Sequence, residues 1–422
     1  MLFKNFLKAI KAKLFFFLIA SSCILPIFSF NHRKKIANQK VAHSINFLHQ
    51  TINKNNFPEW MISQIDKDLA PFKQGRLSKQ AIDIALENYL KSDFGLGNGL
   101  ELARCQIKNS NVFIHGLYPT KQTEQRLAIV IQALSNLANM IPLPDIDFII
   151  CVGDALGSQA SLFFYNIPVL AFAKQSQDRI PALIPDCEAL SDGFCEKVLA
   201  DAAHACRYFP WEIKEEKAFW RGATTGSDIS GYGLLNAHNY QEFPRVKLSQ
   251  LSSQYPHLID AKLSILAQIE EPVVYKLLAP YTSSAIPVID HLKYKYQILI
   301  DGNTCAYSRA YWQLFSDCLT FKQTSPNIQW YYAFLQPYVH YVPIAHDLSD
   351  LVEKIEWAKN HDLEAQRIMN NAKAFAHEYL KKEDIYLYLY LFVHKYAELF
   401  KPLDVKTPYY SKTKGDKYPN VE

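Results

Sequence analysis

Two arginines, a hydroxyl-rich turn and one aspartate carry the chemistry in this chain. Arg309 stands in YSRAYW, where an amphipathic stretch follows the apolar run Tyr296–Ile300 through the turn Asp301-Gly302-Asn303-Thr304. A strand feeding a helix through a glycine-containing turn makes an anion site. The first N–H groups of the helix, with its positive dipole end, face the space beyond the strand's C-terminal edge. Arg309 adds a charge and a donor fork suited to phosphate, and Ser308 adds a hydroxyl. The plainer alternative is an ordinary strand–helix unit in which Arg309 pairs with a surface carboxylate. Arg221 stands in FWRGATTG, a strand end running into a flexible turn. There Gly222, Thr224, Thr225 and Gly226 offer N–H groups and hydroxyls within reach of a diphosphate.

The aspartate is Asp154. It follows Gly153 at the end of the apolar run Asp147–Val152. A carboxylate at a strand end, partly desolvated in a cleft, can accept a proton near neutral pH. Its commoner use is to cap its own turn. Lys174 ends a second apolar run, Ile167–Ala173, and Arg245 lies in the helical stretch FPRVKLSQL; both are possible substrate contacts. Asp145 and Asp147 resemble a metal-holding DxD pair, but that motif follows its strand and this pair precedes one. They read as strand-entry residues, and no metal site is expected.

These residues need strands and helices to hold them, and the chain has both. Apolar runs of strand length alternate with amphipathic stretches such as Gln122–Met140, the α/β pattern. At 422 residues the chain exceeds one comfortable core, so two domains are expected. Lys+Arg 45 against Asp+Glu 41 leaves +4, too mild a charge for a nucleic-acid partner. The eight cysteines show no CxxC spacing, which argues against zinc, and Cys151 and Cys318 fall in apolar strands as buried thiols. Residues 181–217, rich in proline and acidic residues, read as a loop crossing between domains. FGLGNGL at Phe94–Leu100 reads as a loop, its glycines being wrongly spaced for a dinucleotide site. Ahead of all this, Lys4, Lys8, Lys11 and Lys13 precede the uncharged run 14–30, which reads as a membrane segment.

Three stretches together resemble glycosyltransferase family 90, the capsule-associated and lipopolysaccharide-modifying transferases related to protein O-glucosyltransferases. They are FWRGATTG with RVKLSQLSSQYPHLIDA, then KYKYQILIDGNTCAYSRAYW, then LQPYVHYVPIAHDLSDLVEKIEWAKNHDLEAQRI. The resemblance implies a GT-B architecture, two Rossmann-like domains facing a cleft. With the sequence reading of the two ends, it divides the chain into an anchor or signal segment (1–35), an acceptor-side domain (36–200), a nucleotide-sugar-binding domain (201–382), a C-terminal helix (383–400) and a disordered tail (401–422), the first and last two read from composition and periodicity and not from the resemblance. It implies inverting transfer without a metal or other cofactor, from a UDP-sugar, glucose or xylose, to a saccharide of lipopolysaccharide, capsule or a related glycan. Arg221 and Arg309 match diphosphate-binding positions, with Gly222, Thr224, Thr225, Gly226 and Ser308 around them. Asp154 matches the catalytic aspartate, and Lys174 a family lysine. Gly153 departs from the basic residue some members carry there. The rivals are a protein O-glucosyl- or xylosyltransferase of a secretory lumen, and a non-catalytic sugar-nucleotide or glycan-binding protein. The expected location is a membrane reached through residues 14–30, on its cytoplasmic face in a bacterium.

Overall fold

Apolar runs between residues 102 and 183 form one five-stranded sheet. Its strands are β1 (Leu102–Lys108), β2 (Asn111–Leu117), β3 (Ile146–Cys151), β4 (Val169–Ala171) and, after the short β5 (Lys174–Gln175), β6 (Pro181–Leu183). They lie in the order β2-β1-β3-β4-β6. β3, β4 and β6 run parallel, whereas β1 is antiparallel to both its neighbours. A wholly Rossmann-like sheet is therefore not what forms here. Asn109 and Ser110 both take positive φ, the two-residue turn that folds β2 directly back on β1. All six residues of β3 are buried, as suits a central strand covered on both faces.

The second sheet comprises β7 (Glu215–Ala223), β8 (Ile259–Ile265), β9 (Tyr294–Leu299), β10 (Leu319–Gln323) and, past β11 (Asn327–Ile328), β12 (Val342–Ile344). Its order is β12-β10-β9-β7-β8, parallel throughout. Trp220, Tyr296, Ile298 and Phe321 fill its core against Val246, Leu248 and Ile355 from flanking helices. β8 lies on one side of β7 and β9 returns on the other. That reversal opens a crevice at the C-terminal ends of β7 and β9, where open parallel sheets bind ligands.

Residues 181–217 are not the expected loop. They hold β6, the short helix Cys187–Leu190 and the helix Phe194–Tyr208. The longer helix buries Cys195, Val198, Ala202 and Ala205. That stripe is made of small residues, a weak hydrophobic signal beside the acidic and proline residues around it. The C-terminal helix Lys382–Ala397 packs on the first sheet although it follows helices of the second. Its Tyr388 hydroxyl donates to the Leu183 carbonyl at 3.1 Å and its Lys382 ammonium to the Leu190 carbonyl at 2.6 Å.

This computed structural model describes residues 43–74, 77–92, 101–117, 121–156, 162–227 and 233–400. The chain divides into two compact units, Met1–Pro58 and Glu59–Glu422, and both sheets belong to the second. In the first, residues 43–53 are helical. The apolar run 14–30, the whole of Phe94–Leu100 and the tail 401–422 lie outside the described residues. Among the described residues no helix is long and apolar enough to cross a membrane.

Candidate active site

The ends of β3, β7 and β9 open on one cleft of about 470 Å³, a size that suits a small ligand. Asp154 and Glu188 line it from the side of the first sheet, and Arg221, Arg245, His291 and Arg309 from the second. The acid and both arginines singled out in the sequence thus converge on a single space.

The cationic wall comes from the second sheet. Arg309, in the helix Tyr307–Phe315, sits between aromatic faces, 5.7 Å from the Trp220 ring centre and 5.6 Å from that of Trp312. One Nη donates to the Arg221 carbonyl; the other is buried with no partner among the described residues. The surface carboxylate of the plainer alternative is absent from Arg309 among the described residues; Arg221 has one instead, its Nη2 lying 2.8 Å from Asp260. Arg221 also stacks on Phe219 at 4.3 Å and keeps its Nε unpartnered. Arg245 has every nitrogen engaged. It donates to the carbonyls of Ala223, Ile300 and Asp301 and to the Thr225 hydroxyl, so it binds the ends of β7 and β9 together. Gly302 makes this possible, because a Cβ there would lie 2.8 Å from an Arg245 Nη. Burial lowers Arg245 to about 10, and burial with the nearby Arg245 charge lowers Arg309 to about 9. Both stay charged at neutral pH. A buried charged donor without a partner costs more than the roughly 1–3 kcal/mol of a neutral one. An anion in the cleft would relieve that cost.

His291 completes this wall, edge-on to Phe219 and Trp312, and sequence reasoning missed it. Burial, with the Arg309 and Arg221 charges, pushes its imidazole down to about 3, so it is neutral in the folded protein.

The acidic end is built by both sheets. Asp154 receives a hydrogen bond on each carboxylate oxygen, from Arg126 Nη2 and from Asn303 Nδ2, both at 3.0 Å. Its carbonyl accepts from the Tyr307 hydroxyl at 2.7 Å and from Thr304 Oγ1 at 3.1 Å. Arg126 also holds the Val152 carbonyl. Asp154 is therefore no self-capping turn residue; its side chain remains 35% exposed to the cleft. Glu101 packs beneath, so that a Cβ on Gly153 would fall 1.4 Å from its carboxylate and the Glu101 side chain would have to move. Burial, then the Asp154 charge, raises the Glu101 carboxyl above its ordinary range.

Other expected positions fall differently. Gly222, Thr225 and Ser308 line the cleft. The Ser308 N–H, expected free for phosphate, already donates to the Glu188 carboxylate at 2.9 Å. Thr224 is buried, its hydroxyl spent on the Ala267 carbonyl and N–H. Gly226 stands behind the wall with its N–H shared between Gln268 and Asn303, each at 3.2 Å. Lys174 is away from the cleft, buried against Asp68 at 2.7 Å and the Pro181 carbonyl at 3.0 Å. It does not end a strand at the cleft because the chain turns into β5, which pairs with β11. Asp147 grips Arg104 at 2.9 and 2.8 Å, and Asp145 accepts from the Asn109 N–H at 2.7 Å.

The chain is similar to proteins of known name. It is 30% identical over 344 residues to protein O-glucosyltransferase 2 of Danio rerio, covering 80% of this chain and 62% of that one. Protein O-glucosyltransferase 3 of Homo sapiens is 35% identical over 190 residues, 44% of this chain and 33% of that one. The chain thus spans somewhat less than two thirds of the first relative's length and a third of the second's. The crystal structure of Anabaena Alr3699/HepE in complex with UDP-glucose overlays with a TM-score of 0.33 at 12% identity, covering 62% of this chain and 74% of that one; the likeness is too slight to build on. The family model described as glycosyl transferase family 90 matches residues 53–413, both sheets and the whole cleft included, and the chain belongs to that family.

Proposed function

We propose that this protein is an inverting glycosyltransferase that moves a sugar, glucose or xylose, from UDP to an acceptor hydroxyl without a metal. The reading rests on one observation: Asp154, Arg221 and Arg309, supplied by separate stretches, line the same cleft. Asp154 takes the proton of the acceptor hydroxyl as its oxygen attacks the anomeric carbon. The bond from that carbon to the diphosphate breaks on the opposite face, and UDP leaves with the electron pair. Arg309 and Arg221, which line the cleft and each keep one buried donor without a partner among the described residues, take up the charge that grows on UDP, as a metal would elsewhere. In this reading the two sheets act as GT-B halves, the first on the acceptor side and the second holding the donor.

The acceptor on this reading is a saccharide of a lipopolysaccharide, capsule or related glycan. Transfer would occur at a membrane reached through residues 14–30, on the cytoplasmic face in a bacterium. A second reading, a hydroxyl on a protein, draws support from the names of the relatives.

UDP release from UDP-glucose and UDP-xylose, with and without EDTA, tests the donor and the metal. Asp154→Asn is expected to lower turnover about 10²–10⁴-fold while UDP still binds. Normal turnover by that variant removes the base, and loss of turnover in EDTA removes metal independence. Oligosaccharide and serine-containing peptide acceptors, compared in the same assay, separate the two readings.

A further inference from the structure

The polar turn after β9 does more than lead into the Arg309 helix. Asn303 uses both ends of its amide. Its Nδ2 donates to Asp154 Oδ2 at 3.0 Å, and its Oδ1 accepts from the Gly226 N–H at 3.2 Å. Only this orientation of the amide works. Turned over, it would set oxygen against carboxylate and nitrogen against N–H. One side chain therefore joins the carboxylate of the first sheet to the turn that follows Arg221. The joint is supported by its neighbours: Thr304 and Tyr307 hold the Asp154 carbonyl, and Tyr307 does so from a strained φ of +29°. Arg126 fixes the other carboxylate oxygen from the first-sheet side, so among the described residues Asn303 is the hydrogen bond that reaches the Asp154 carboxylate from the donor-side wall.

We propose that Asn303 is the positioning residue for Asp154, orienting its carboxylate toward the cleft and tying that orientation to the turn at Thr225-Gly226. The inference rests on Asp154 being the base. An amide is suited to this place for an electrostatic reason. The titratable and charged groups facing Asp154 are Arg126, Glu101, Tyr307 and Cys151. Arg126 is the cation among them. A carboxylate at 303 would add a second negative charge about 3.0 Å from Asp154 Oδ2, and two carboxylates that close do not both ionise.

The test is the pH dependence of UDP release from UDP-glucose, or from UDP-xylose where that turns over faster, by the full chain. Asn303→Asp is expected to move the acid limb of kcat/KM upward by about one pH unit or more, with activity recovering at higher pH. Asn303→Ala is expected to lower kcat about 10–100-fold with donor KM little changed, since an unfixed base is a misplaced one. Melting curves establish that each variant folds, and Asn303→Ser stands in for one that does not. An Asn303→Asp profile superimposed on the wild type's overturns the proposal, as does an Asn303→Ala loss confined to KM. Asp154→Asn separates the two failures. If it is active, the base assignment falls; if it is inactive while the Asn303 variants behave like wild type, this inference alone falls.

Discussion

Lys174, buried, and Arg309, half-buried, are both cations that follow apolar strands in the sequence, yet they sit in opposite kinds of surroundings. The Lys174 ammonium is met by Asp68 and the Pro181 carbonyl, and Asp68 is in turn bonded by Gln64 and the Leu183 N–H. Every charge in that cluster is answered from within the protein. Arg309 has two tryptophan faces and one carbonyl, and one Nη with no partner among the described residues. The first arrangement holds elements together; the second is incomplete until something negative arrives. Residue type and position after a strand do not separate the two. Partner inventory does.

The comparison can be broken by exchanging charge for bulk at each site. Lys174→Met strands Asp68 in the interior and is expected to cost about 3–5 kcal/mol of stability, read from denaturant unfolding. UDP affinity of the molecules that remain folded should not change. The double variant Asp68→Leu/Lys174→Met should regain most of the loss, because a well-packed apolar pair often replaces a buried ion pair without penalty. Arg309→Met should do the reverse: UDP affinity falls about tenfold to a hundredfold, while the melting temperature stays level or rises. If Lys174→Met weakens UDP binding and Arg309→Met mainly destabilises, the roles assigned here are exchanged.

The difference between these two sites also marks what the sequence could reveal. β3, β7 and β9 are legible because each is an apolar run closed by a glycine or polar turn, and position after such a run placed Asp154, Arg221 and Arg309 at the cleft. The same reasoning misplaced Lys174, because its turn into β5 is set by pairing with β11, a partner more than 150 residues away. Thr224 and Thr225 are adjacent and alike in chemistry, yet alternation along an extended backbone sends one inward and one to the cleft. Arg126 and Asn303 contact Asp154 across 28 and 149 residues, distances over which local pattern is silent. Arg126 did leave a trace: it stands four residues before Val130 on the buried stripe of its helix, a charge in an apolar row. His291 left none that separates it from any polar residue ahead of a strand.

His291 offers the finest test of the same contrast, since it is the neutral member of the cationic wall that holds Arg309. Its imidazole stands near 3 in the folded protein through burial and the Arg309 and Arg221 charges, against about 6.5 unfolded. Between those values the unfolded chain binds the extra proton, so stability falls as pH drops below 6.5, by up to about 1.4 kcal/mol per unit. Asp186 and Asp384, raised by burial to about 7, act with the opposite sign: the folded form holds their protons, so they lose stability as pH rises from about 4 toward 7. The wild-type curve alone therefore mixes opposing slopes. The difference between wild type and His291→Phe removes the two aspartates and leaves the imidazole. Relative to wild type, that variant should gain stability steadily as pH is lowered from 6.5 toward 4, measured by denaturant unfolding at each pH. Saturating UDP should shrink the gain, because a bound diphosphate answers the two guanidiniums and lets His291 take its proton more readily. A gain that ignores UDP would mean the anion does not reach this wall.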